Sequence, residues 1–127
     1  MDTPETLELR KNLVKAWLEA LESGRYKQGK GQLRTDLNEF CCLGVLCDVA
    51  VEHFELGKWN DSNQEVYKLN GKESCFDLHP TLAVMAGLDY EKQSFYTHAN
   101  DSLDMNFKQI AGVIRQDFLN VIKGIDQ

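Results

Sequence analysis

Phe40 to Phe54, FCCLGVLCDVAVEHF, is the stretch that most limits what this chain can fold into. It holds three of the four cysteines, and its charges are confined to Asp48, Glu52 and His53. So apolar a run belongs in a core, and the remaining segments can be assigned by how they cover it. Phe40, Cys41 and Cys42 read as the end of a strand. From Leu43 the apolar positions 43, 46, 47, 50 and 54 fall at helical spacing, which predicts a passage from strand to helix around Cys42 to Gly44.

The segments before and after the run have their own periodicities. Thr3-Pro4 places a capping hydroxyl ahead of a proline suited to the first helical position, and Leu7, Leu13, Val14, Trp17, Leu18 and Leu21 follow as one apolar face. This predicts a helix over residues 4–23 with Arg10, Lys11, Lys15, Glu19 and Glu22 on its wet side. Arg25 to Asn38 reads as a loop with a short strand at Gln32 to Thr35, a turn at Asp36 to Asn38, and a return strand at Glu39 to Cys42. Glu65 to Leu69 alternates with period two, Asn70-Gly71 is a strong hairpin signal, and Lys72 to Phe76 returns. A short helix is expected from Asp77 or His79 and Pro80 to Gly87, and another over Glu91 to Ala99, broken by Asn100-Asp101. The last helix carries Phe107, Ile110, Ala111, Ile114, Phe118, Val121 and Ile122 on one face, capped by Asp104 or Asn106 and ended at Gly124. The expected fold is therefore α+β: a mainly helical single domain of about five helices with a small antiparallel sheet of short hairpins.

Size and charge exclude several classes of function. With 127 residues, 43% of them hydrophobic, the chain can close one core but hardly two. No run of about eighteen apolar residues is present to span a bilayer, and MDTPETLELRKN has neither the basic start nor the apolar stretch of a signal peptide. The expectation is a cytoplasmic protein with reduced thiols and no membrane partner. A net charge of −6 repels phosphate backbones, which argues against nonspecific nucleic-acid binding. The acidic residues are scattered, so mimicry of DNA is not indicated either. Basic residues gather only at Arg25, Lys27, Lys30 and Arg34, where an anion could be held if the fold brings them together. Gly29-Lys30-Gly31 neither follows a strand nor opens a helix, so it fails the context of a phosphate-binding loop.

Gly24-Arg25-Tyr26-Lys27-Gln28-Gly29, then Leu33-Arg34, then Phe40-Cys41-Cys42-Leu43-Gly44-Val45-Leu46-Cys47 occur in that order. Asn100-Asp101 and Phe107-Lys108-Gln109-Ile110-Ala111 follow. The combination resembles a group of small, mostly uncharacterised proteins of bacteriophages and of phage-derived or plasmid regions of bacterial genomes. It extends over nearly the whole chain, with the CCLGVLC string as its specific part. The group's usual Gly between the Asn-Asp pair and the Phe is replaced here by Ser102 to Asn106. The resemblance implies a mobile-element context, with the host cell's cytosol as the compartment and a role against a host defence system; it supplies no activity.

Three kinds of site can be written on the residues. Tyr26, Gln28 and Arg34 in the basic loop, with Asn100 and Asp101, form a candidate ligand-binding set. Arg34 can fork onto a carboxylate or phosphate, and Tyr26 or Trp59 can stack on a base or on the guanidinium. The alternative for these residues is an internal tie, with Asp101 capping a turn or pairing with Arg34. A second possibility is a cysteine-dependent hydrolase or transferase. Cys41 or Cys42 near a helix N-terminus would be the nucleophile, His79 or His98 the base, and Asp77, Asn100 or Asp101 the orienter. A third is a structural zinc site on Cys42, Cys47, Cys75 and His79. Three cysteines in an apolar run are otherwise ordinary buried hydrophobes. The leading expectation is a non-enzymatic binding protein with no catalytic residue, metal or cofactor, whose partner is a host protein or a small anionic metabolite or nucleotide.

Overall fold

The computed structural model describes residues 3–124. Helix α1 (Pro4–Glu22) starts as its sequence demands: Thr3 caps it through a reciprocal capping box with Thr6, and Pro4 occupies the first turn. Its apolar face is wholly buried at Leu13, Val14, Trp17, Leu18 and Leu21. Two cations expected on its wet side are not free in solvent. Lys11 is only 8% exposed, and the Arg10 guanidinium donates to the Val84 and Met85 carbonyls.

Helix α2 (Cys42–Phe54) lies against α1 and is buried continuously from Cys42 to Ala50. Its start is built by the cysteine pair. Cys41 is the N-cap, with Sγ accepting from the Gly44 N–H at 3.3 Å, and the Cys42 carbonyl accepts from Trp17 Nε1 at 2.8 Å. Cys42 is therefore the first residue of the helix and not the last of a strand. The hairpin expected over Gln32 to Cys42 is reduced to two isolated bridges, both on Phe40: a parallel one with Gln28 and an antiparallel one with Arg34. The helix begins too early to leave a return strand, so Phe40 alone ties both arms of the basic loop.

A three-stranded antiparallel sheet follows: β1 (Lys58–Trp59), β2 (Tyr67–Leu69) and β3 (Lys72–Ser74), in that order. The β2–β3 hairpin has the register Tyr67↔Ser74 and Leu69↔Lys72, with Asn70 and Gly71 both at positive φ as a tight primed turn requires. Strand β1 was not signalled by alternation, because it is only two residues long; it pairs through Trp59↔Tyr67. His79 then caps α3 (Pro80–Ala86), and Gly87 closes it in the left-handed region.

Helix α4 (Tyr90–Asp101) does not stop before Asn100-Asp101 but includes both. The reason is tertiary: the Asn100 amide is fully buried and hydrogen-bonded to the basic loop, which outweighs its weak helix propensity. The expected last helix is divided at Phe118 into α5 (Phe107–Asp117), capped by Asn106, and α6 (Leu119–Gly124), so the described residues hold six helices. Phe118 leaves helical geometry with its ring buried. One core is formed, with α1 and α2 at its centre and the sheet, α3, α4 and α5 around them.

Candidate functional site

Close approach at the start of α2 sets the position of the basic loop. A Cβ on Gly44 would sit 1.7 Å from the Leu33 carbonyl oxygen, so only glycine lets the Gln32 to Arg34 segment lie directly on the first turn of the helix. The Cys41 N–H donates to that same carbonyl at 3.2 Å. On the other arm, the Gly29 N–H bonds the Phe40 carbonyl and the Phe40 N–H bonds the Lys27 carbonyl, both at 2.8 Å. The CCLG string is thus a seat for a loop, and its cysteines are parts of that seat.

The loop carries Arg34 into a fixed pose. Its guanidinium carbon lies 5.2 Å from the Phe40 ring centroid and 5.1 Å from that of Trp59, while Nε and Nη2 both donate to Asn38 Oδ1. Nη2 also reaches Gln64 Oε1 at 3.3 Å. Asn38 holds this position from a left-handed backbone (φ 60) at the end of a turn tied by Thr35, a conformation asparagine tolerates better than most residues. Edge-to-face contacts continue from Tyr26 to Phe40, Trp59, Tyr67 and His79, giving the cation a rigid aromatic support.

A cleft of about 480 Å³ opens beside Arg34, with Arg25, Tyr26 and Lys27 on the loop side and Asp48 and Glu52 on the α2 side. The two acids are one helical turn apart and share a face. Asp48 is only 9% exposed, and its carboxylate is satisfied by the Tyr26 hydroxyl at 2.5 Å on Oδ2 and by Trp59 Nε1 at 2.9 Å on Oδ1. The hydrogen bond and negative charge of Asp48 push the Glu52 carboxyl above its usual range. Burial, helped by Asp48, raises the Tyr26 hydroxyl and keeps it a neutral donor. Lys27 is paired with Glu39 at 3.2 Å, and Lys30 turns away to Asp104 at 2.7 Å, so the four cations of the loop do not converge on one point.

Of the five ligand-binding candidates, Tyr26 and Arg34 therefore share this cleft. Gln28 and Asn100 do not line it; they form a tie. Gln28 Nε2 donates to Asn100 Oδ1 and to the Met105 carbonyl, and Asn100 Nδ2 donates to the Gly29 carbonyl, all at 2.8 Å. Asp101 does not pair with Arg34: it accepts from Asn100 Nδ2 and lines a different cleft of about 580 Å³ with Asp77, Tyr90 and His98. Asp48, Glu52, Asn38 and Gln64 were missed as site residues. The first two had a signal, since they are acids four apart in the most apolar segment of the chain; the other two had none.

Of the four thiols, Cys41, Cys42 and Cys47 are buried and Cys75 is half-buried. Burial pushes Cys41 up to about 11 and drives Cys42 and Cys47 well above the ordinary thiol value, the reverse of an activated nucleophile. Desolvation outweighs the helix N-terminus here. Both ring nitrogens of His79 are engaged, Nδ1 by the Thr81 N–H and Nε2 by the Leu69 carbonyl, while His98 is exposed. Among the described residues, no three His, Cys, Asp or Glu side chains are grouped so as to hold a metal ion. None of the described helices is long and apolar enough to cross a membrane.

Fold and site together define a mainly helical α+β protein with a rigid basic and aromatic cleft set against a carboxyl pair. The chain belongs to the family described as a domain of unknown function (DUF8296), which matches residues 9–97. That span includes every residue named above as lining the Arg34 cleft and ends before Asn100 and Asp101. Among curated proteins and among solved structures, none matches this chain.

Proposed function

We propose that this protein is a non-enzymatic accessory protein of a bacteriophage or other mobile element, acting in the host cytosol. It captures a small anionic ligand in the Arg34 cleft and so withdraws it from a host defence system. The observation that carries this reading is the pose of Arg34, stacked on two rings, anchored by Asn38 and Gln64, and flanked by Arg25 in a protein that is otherwise acidic. A guanidinium ordered before the ligand arrives loses little side-chain entropy on binding, and with Nε and Nη2 held by Asn38 and Gln64 it offers its Nη1 donors to a carboxylate or phosphate. The mobile-element setting rests on the resemblance carried by the Phe40 to Cys47 string and the Phe107 to Ala111 motif.

Thermal denaturation of the full chain with inorganic pyrophosphate and with nucleotides tests the reading. A ligand at about a hundred times its Kd adds about 2.7 kcal/mol to the folded state, enough to raise Tm by several degrees. Protection is expected for the wild type at low salt and is expected to vanish in R34Q. No protection by any of these anions at millimolar concentration, in protein whose fold is intact, would overturn it.

A further inference from the structure

We infer that the Arg34 cleft is built for a phosphorylated ribose, free or within a ribonucleotide, with the phosphate toward Arg25 and Arg34 and the vicinal hydroxyls on the Glu52 carboxyl. This rests on the anion-capture reading and names the ligand class. The cleft is not uniformly basic: Asp48 and Glu52 line it together with the cations. Carboxyls in the same cleft as the cations favour a ligand that is anionic at one end and offers hydrogen-bond donors at the other. Neighbouring hydroxyls are such donors, and a carboxylate receives two of them at once.

Division of labour within the carboxyl pair supports this. Asp48 has one oxygen taken by the Tyr26 hydroxyl and the other by the Trp59 indole, which leaves it as an anchor. Glu52 is the exposed member, held beside Asp48 one turn along α2 and facing the cleft. The cleft, about 480 Å³, lies within the range of small-molecule sites and has room for a pentose phosphate. Leu37, 72% exposed at the rim, gives the face of a base an apolar neighbour.

Calorimetric titration of the full chain with pyrophosphate, ribose 5-phosphate, 2-deoxyribose 5-phosphate, AMP, 2′-deoxy-AMP and glycine tests the inference. The ribose member of each pair is expected to bind more tightly than its deoxy analogue by roughly tenfold to a hundredfold, the worth of one hydrogen bond to a charged acceptor. E52A, a change on the exposed face of a helix, is expected to bring that ratio close to one. Whether free ribose 5-phosphate or only AMP shows the preference tells the two sources apart. Equal binding of ribose and deoxyribose forms, or binding of glycine in place of both, overturns this inference; if pyrophosphate still binds, anion capture stands. Failure of every anion to bind overturns both.

Discussion

Cys41 has two opposing influences on its thiol. A helix N-terminus favours the thiolate by a fraction of the roughly 1 kcal/mol that such a site offers a negative charge, while burial removes the hydration that a thiolate needs. Burial wins, leaving Cys41 at about 11 with Cys42 and Cys47 also raised. Iodoacetamide at neutral pH is therefore expected to leave these three thiols unlabelled until denaturant is added, as mass spectrometry of the peptides will show. Fast labelling of Cys41 in the native protein would contradict that. Asn100 offers a second test at this scale. Its amide satisfies both the Gln28 side chain and the Gly29 carbonyl in a buried setting. N100A leaves both without that partner and is expected to cost about 3 kcal/mol in urea unfolding. The sequence offers Gln28 and Asn100 as ligand contacts and the structure places them in a tie to the loop, since polar residue types do not tell one from the other. The difference lies in whether the amide faces a cleft or a neighbouring backbone.

The start of α2 is the most demanding element. Contact between Gly44 and Leu33 is backbone to helix, so G44A cannot be relieved by a side-chain rotation. It is expected to destabilise by more than about 3 kcal/mol and to release the Gln32 to Arg34 segment, weakening any binding by Arg34 as well. Gly112 in α5 is the contrast: exposed and helical, with nothing within 4 Å of an added Cβ. G112A is expected to stabilise by about 0.5–1 kcal/mol, because alanine loses less backbone entropy in a helix. Denaturation midpoints of the two variants should move in opposite directions. Elements with many periodic residues, α1 and the α5 face, were legible in the sequence for the same reason that they are stable: one stripe of side chains meets one core. Strand β1 and the break at Phe118 were not, since two paired residues and one displaced turn leave no periodic trace.

Across the whole molecule, the neutral forms of several acidic groups are tied to folding. Tyr67 and Tyr96 are raised above their ordinary 10.0, and the buried thiols above 9.0, chiefly by burial. The unfolded chain ionises these groups first, so the stability they confer is complete below about pH 9 and is lost as pH rises through 9 and 10 towards their folded values. Tm is expected to fall steeply between pH 9 and 11, and Y96F should lessen the slope. A flat profile over that interval would count against burial of these groups.

By itself the sequence determined where the helices lie, where the hairpin turns and which residues are apolar enough to make the core, because these follow from local periodicity and from turn chemistry over a few neighbouring positions. Only the tertiary structure decided that Tyr26 and Arg34 meet Asp48 and Glu52, that Asp101 lies in another cleft, and that Cys41 caps α2 with its thiol buried. Each of those outcomes depends on groups far apart in the chain, whose distances and hydration are set by packing once the loop is pressed onto α2.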